Sequence, residues 1–168
     1  MPFSRRRFIL GSFSLSCWTL ASRLRGSTVP SNRSALESTL RAWVNTLLPA
    51  DRSSPAAGDV GVHFEIIKKA ESNRQYMQLL EIGVRWIENE ATQLGITSFT
   101  QLDPAQAEFI VAKAEASGLQ AMPGLFFYHT LRDAKAFYYS KEASWAGVGF
   151  PHQPQPLGYM DYAEAPKG

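Results

Sequence analysis

"SNRQYMQLLEIGVRWIENEATQLG", residues 72–95, is the stretch that decides the fold. Tyr76, Leu79, Leu80, Gly83, Val84, Ile87 and Ala91 recur at three- and four-residue spacing, so on an α-helix they share one apolar face. Arg74, Gln78, Glu81, Arg85 and Glu88 fall mostly on the opposite, solvent side. Ser72 marks the start, and Gly95 supplies the residue that most easily takes the left-handed conformation at a helix end. An amphipathic helix of this length needs other elements to cover its apolar face, and the flanking sequence offers more helices.

On the N-terminal side, Leu36, Leu40, Trp43, Val44, Leu47 and Leu48 again repeat at helical spacing. Ser34 stands where a cap belongs, with Glu37 three residues later to complete a capping box. "PADRSSPAAGDVG", residues 49–61, breaks that helix with two prolines and two glycines. A second helix is expected from about Asp59, with Val60, Phe64 and Ile67 on its inner face. On the C-terminal side, "TQLDPAQAEF" reads as a helix start: Asp103 as cap, Pro104 at the first position, Gln106 at the capping-box position and Leu102 poised to staple onto Ala107. That helix runs to Gly118. Pro123 opens a last one through "GLFFYHTLRDAKAFYYS".

No stretch alternates with period two between hairpin turns, so the expected fold is all-α: an irregular or orthogonal bundle of about five helices. From Lys141 the character changes. "KEASWAGVGFPHQPQPLGYMDYAEAPKG" holds four prolines, four glycines and the aromatics Trp145, Phe150, Tyr159 and Tyr162. Prolines and glycines predict an extended, non-helical arm, while its aromatics predict that it lies against its own bundle or another protein. The organisation is therefore a leader and linker (residues 1–27), a helical domain (28–140) and a C-terminal arm (141–168).

The 168 residues carry a formal charge of +2, unevenly distributed. Arg5, Arg6, Arg7, Arg23 and Arg25 precede the first acidic residue, Glu37, and from Thr28 onward 12 basic residues face 15 acidic ones. The mature chain is thus acidic, which argues against a nucleic-acid surface. Cys17 is the single cysteine, which leaves no thiolates for zinc, iron–sulfur or haem ligation after residue 27.

"SRRRFIL", residues 4–10, fits the twin-arginine export pattern through Ser4, Arg5, Arg6, Phe8 and Ile9. The apolar stretch that follows is diluted by Gly11, Ser12, Ser14 and Ser16 and is too short for an ordinary spanning helix. Thr19-Leu20-Ala21 offers a cleavage site after Ala21, and a periplasmic location follows. This route carries folded proteins, usually loaded with a cofactor, yet the chain shows no means of holding one. "GVGF" at 147–150 lacks the third glycine of a dinucleotide loop, and Pro151 blocks the helix that would meet the phosphates.

His63, His129 and His152 lie on three different elements without helical pairing; His63 and His129 read as surface groups or as partners of core polar groups. Glu88 with Glu90, or Asp133 with Glu142, are nominal acid/base pairs that read better as a solvated face. The aromatic run Phe126, Phe127, Tyr128, Phe137, Tyr138, Tyr139 exceeds what one helix buries and points to a protein interface. Two competing readings are an independent periplasmic enzyme with a metal site built from histidines and Asp51 or Asp133, and a small-molecule binding module.

"LLPADRSSPAAGDVGV" and "WAGVGFPHQPQPLGYMDY", with the export leader and the helical middle, resemble the gluconate 2-dehydrogenase subunit 3 family. The first is similar to the family's Ile/Leu-Pro-x-Asp loop with its following turn, the second to its Trp-x-x-x-Gly-Tyr-Pro-Gly-x-Pro-Gln-Pro-x-Gly-Tyr-x-Asp ending. Ala56 and His152 depart from it, each standing where the family has glycine. The resemblance implies a non-catalytic small subunit in a three-part complex. Its partners would be a large GMC-type flavoprotein holding FAD, which oxidises a sugar, sugar acid or polyol, and a multihaem cytochrome c carrying haem c. It also implies that the large subunit, lacking a leader, passes the twin-arginine translocase bound to this chain. Trp145, Phe150, Pro151, Pro154, Pro156, Tyr159 and Tyr162 are the residues expected to grip it.

Overall fold

A computed structural model describes residues 32–150. The leader, with Ser4, Arg5, Arg6, Phe8 and Ile9, and the end of the arm, with Pro151, His152, Pro154, Pro156, Tyr159 and Tyr162, lie outside the described residues. The described part consists of five α-helices and three short 3-10 turns, with no strand among them. The helices are α1 (Asn32–Leu47), α2 (Val62–Glu71), α3 (Arg74–Gln93), α4 (Pro104–Ala116) and α5 (Met122–Tyr139). Helices α1, α3 and α5 each pack against all four others, with α2 and α4 on the flanks. No helix among the described residues is long and apolar enough to cross a membrane.

Local chemistry explains most boundaries. Asp103 accepts from the Gln106 backbone N–H at 2.8 Å while the Gln106 side chain accepts from the Asp103 N–H at 3.1 Å, the reciprocal capping box expected at α4. Asn73, one residue beyond the expected Ser72, caps α3 by accepting from Tyr76 N–H. Gly95 and Gly118 take φ of +79° and +67° just after α3 and α4.

Two starts differ from expectation. Helix α1 is already formed at Asn32, the first described residue, which places Ser34 inside the helix instead of at its cap. Glu37, released from a capping role, accepts from Arg33 one turn earlier. Helix α2 begins at Val62, not near Asp59, because residues 56–61 are drawn into turns that end on Gly61 at φ +77°. The shift rotates its buried face to Val62, His63, Ile66, Ile67 and Ala70, and leaves Phe64 exposed.

The core is continuous across all five helices. Leu40, Trp43 and Val44 from α1, Ile66 from α2, Leu80 and Ile87 from α3, Ile110 from α4 and Phe126 from α5 are fully buried. Each such side chain contributes about 1.5–3 kcal/mol relative to exposure. Trp43 is the hub. Its ring lies 5.1 Å from Phe126 and 6.0 Å from Phe99, centroid to centroid, and its indole N–H donates to Thr130 Oγ1 at 2.9 Å. Thr130 in turn donates to the Phe126 carbonyl at 2.7 Å, so the buried polar atoms of this pair are satisfied.

Candidate functional site

The α1–α2 loop and the start of the C-terminal arm form one structure at an edge of the bundle. Pro49 and Pro55 keep the loop from continuing α1, and Asp51 folds it back. One carboxylate oxygen of Asp51 accepts from the backbone N–H groups of Ser53 (2.6 Å) and Ser54 (2.7 Å), while its own N–H donates to the Ser54 carbonyl. Further along, Gly58 N–H donates to Asn45 Oδ1 at 2.6 Å. A side chain at Gly58 would place its Cβ 2.7 Å from Arg41 Cγ and 2.9 Å from the Arg41 carbonyl, so the loop lies directly on α1. Arg41 also reaches Asp59 at 2.8 Å. The centre of the loop is tied to α5: Tyr138 donates its hydroxyl proton to the Pro55 carbonyl at 2.8 Å.

The arm returns onto this loop. Its first ten residues are not extended as the prolines and glycines suggested; they coil into two 3-10 turns, Glu142–Ser144 and Ala146–Val148. The reason is a set of side-chain anchors. Ser144 is buried and its hydroxyl lies 2.8 Å from the carbonyls of both Tyr138 and Lys141. Trp145 donates its indole N–H to the Tyr139 carbonyl at 3.0 Å. At Gly147 the arm meets the loop: a Cβ there would stand 2.1 Å from Ser54 Oγ and 3.3 Å from Asp51 Oδ2. Gly149, at φ +79°, then turns the chain so that the Phe150 N–H donates back to the Trp145 carbonyl.

This platform leaves large apolar groups in solvent. Tyr139 is 46 % exposed, Val148 47 % and Phe150 56 %, with Trp145 half-buried beside them. Of the residues expected to grip a partner, Trp145 and Phe150 therefore lie on this platform, joined by the Phe150 N–H to Trp145 carbonyl bond; the other five lie outside the described residues. The aromatic run on α5 divides: Phe126 and Tyr138 belong to the core, whereas Tyr128 and Tyr139 face outward.

Of the carboxylates nominated as a solvated face, Glu142 is exposed but Glu88, Glu90 and Asp133 are not. Glu88 spans three elements, accepting from Thr39 Oγ1 on α1 and from the Phe99 N–H at 3.0 Å at the start of the Phe99–Gln101 turn. Glu90 is buried and paired with Lys113 of α4. Asp133 is 2 % exposed, with Lys69 Nζ 2.8 Å from one oxygen and Arg132 Nε donating to the other at 3.1 Å. Burial by itself would raise the Asp133 carboxyl; Lys69, the neighbouring Tyr76 hydroxyl and Arg132 overcome it and hold the group below the ordinary carboxylate range. Burial, reinforced by the charge of Asp133, pushes the Tyr76 phenol far above its usual value. These groups tie helices together.

His63 is buried with its Nδ1 unpartnered and its ring centroid 4.0 Å from that of Phe64, which corrects its reading as a surface group or a cap for core polar groups. Desolvation, helped by nearby Arg41, lowers its pKa. His129 lies half-buried 6.0 Å from the Tyr76 ring on α5. Among the described residues no three His, Cys, Asp or Glu side chains gather into a metal-holding group.

A family model described as Gluconate 2-dehydrogenase subunit 3 matches residues 36–151, from the first turns of α1 to the end of the platform. No curated protein and no solved structure matches the chain.

Proposed function

Because the chain belongs to the gluconate 2-dehydrogenase subunit 3 family, a family of subunits of a dehydrogenase complex, we propose that it is a non-catalytic partner of that complex's large flavoprotein. In this reading the loop-and-arm platform binds a GMC-type subunit holding FAD, and a multihaem cytochrome c completes the periplasmic assembly. The twin-arginine leader at Ser4–Ile9 then serves both chains. The flavoprotein folds around FAD in the cytoplasm, binds this subunit and is escorted through the translocase.

The observation that carries the reading is the exposure of Phe150, Tyr139 and Val148 on a base held by Tyr138–Pro55 and by the Gly147–Ser54 contact. Interfaces are anchored by such aromatics, and a base that is already ordered lowers the entropic cost of docking. The coiling of residues 142–148 leaves the remaining prolines and aromatics of the arm to extend the grip. Export of a folded pair also explains a folded-protein signal on a chain whose own sequence holds no cofactor motif.

The test is co-expression with a GMC-type flavoprotein subunit of a gluconate 2-dehydrogenase complex. Trp145→Ala/Phe150→Ala is expected to abolish co-purification with the helical circular-dichroism signal unchanged, and Arg5→Lys/Arg6→Lys to retain flavin-loaded, active dehydrogenase in the cytoplasm. Undiminished co-purification by the first variant, or periplasmic dehydrogenase with the second, refutes the respective half of the proposal.

A further inference from the structure

We propose that the groove between α1, α2 and α3 is the seat of this chain's own N-terminal apolar stretch, Phe8–Leu20, before that segment is removed. The groove has a volume of about 660 Å³ and an apolar floor of Leu36, Ile67, Met77 and Val84. Arg33, Ala35 and Leu36, the first residues of α1, form one of its walls. The described chain thus begins at the groove's own edge, with 31 residues of sequence before Asn32.

Length and apolar character favour this occupant. Eleven residues, Ala21–Ser31, separate the apolar stretch from α1 and reach roughly 36 Å when extended. The wall of the groove along α3, from Met77 to Asn89, is about 18 Å long, so the stretch can lie anywhere along it. "FILGSFSLSCWTL" contains Phe8, Ile9, Leu10, Phe13 and Leu15, the residue types that an apolar floor accepts. Around that floor Glu71, Glu81 and Glu88 alternate with Arg33 and Arg85, Arg33 being paired with Glu71 and Glu88 with Thr39 and the Phe99 N–H, so apolar contact and not net charge selects the occupant. A further depression shares Glu71, Met77 and Glu81, extending the groove around the α2–α3 corner. Seated there, the stretch is shielded from water and from other apolar surfaces while the bundle folds, and its release exposes the export signal. This latch does not depend on which partner the platform binds.

Cys17, the single cysteine, lies inside the stretch and serves as the probe. The experiment uses the full chain carrying Arg5→Lys/Arg6→Lys, its mass checked so that residue 1 is present. Glu81→Cys or Asn89→Cys adds a thiol on the exposed rim of the groove, and Leu119→Cys adds one at the α4–α5 turn outside it. A mild added oxidant takes two electrons and two protons from each thiol pair. Intramolecular disulfide formation, read by mobility on non-reducing gels, is expected about tenfold faster for one or both rim variants than for Leu119→Cys, because seating raises the local thiol concentration. Equal rates at all three positions overturn the latch. So does crosslinking that yields only dimers, which would assign the groove to a second copy.

Discussion

Replacing Gly83 with alanine separates local preference from tertiary packing, because the two demand opposite signs. Gly83 lies in the middle of α3, where alanine in place of glycine gains about 1 kcal/mol on an exposed helix. In the bundle, however, a Cβ at this position stands 2.1, 2.4 and 2.5 Å from three ring atoms of Phe126. Carbon atoms rest at about 3.5 Å, so the ring must retreat by roughly 1.4 Å. It has nowhere to go, since Phe126 is fully buried against Trp43. Overpacking of this kind costs about 3 kcal/mol at the upper end of its range, leaving a net loss of about 2 kcal/mol after the helix gain. At roughly 3 °C per kcal/mol for a domain of this size, the melting temperature falls by about 6 °C. The assay is thermal and urea unfolding followed by circular dichroism, with tryptophan fluorescence in a Trp86→Phe/Trp145→Phe background as a second probe of the ring displaced against Trp43. Gly83→Ala/Phe126→Leu is expected to unfold with a coupling above about 1 kcal/mol, since the smaller side chain vacates the contested space. A Gly83→Ala protein as stable as the parent, or a double variant whose losses simply add, would refute the packing argument.

The remaining expectations concern the platform and a buried histidine. Tyr138→Phe removes the hydroxyl that donates to the Pro55 carbonyl and is expected to cost about 1 kcal/mol in urea unfolding, with faster amide exchange confined to the loop and arm; exchange that rises uniformly would contradict the link. For His63 the folded-state pKa lies below the unfolded value near 6.5, so below that pH the unfolded chain binds the extra proton. Stability contributed by the neutral ring is complete above the unfolded pKa and declines as pH falls toward the folded one. His63→Leu should therefore show a smaller drop in urea midpoint between pH 7.5 and 5.5 than the parent, and an equal drop would show that the ring does not titrate as inferred.

How much was legible beforehand depended on the distance over which each contact acts. The start of α4 could be read from four consecutive residues, because Asp103 and Gln106 satisfy each other's backbone groups without help from elsewhere. The stops at Gly95 and Gly118 are likewise local, a matter of which residue tolerates positive φ. The same kind of rule failed at Ser34. Its capping pattern is present in the sequence, but the chain is already helical at Asn32 and Glu37 pairs with Arg33. Helical periodicity identified the inner face of α3, yet it assigned Glu88 to solvent because it carries no information about Thr39 or the Phe99 turn, which take up that carboxylate.

By itself, the sequence determined an all-α bundle, the order of its helices and the presence of an arm rich in proline, glycine and aromatics, since these follow from periodicity and backbone preference within a few residues. Only the tertiary structure decided that Asp133 and His63 are buried, that Gly83 makes room for Phe126, and that the arm coils onto the α1–α2 loop. Each of those outcomes is set by a neighbour distant in the chain: Lys69 against Asp133, Phe126 against Gly83, Ser54 against Gly147. Burial and steric fit are properties of surfaces brought together by folding, so no spacing along one strand of sequence encodes which surface arrives.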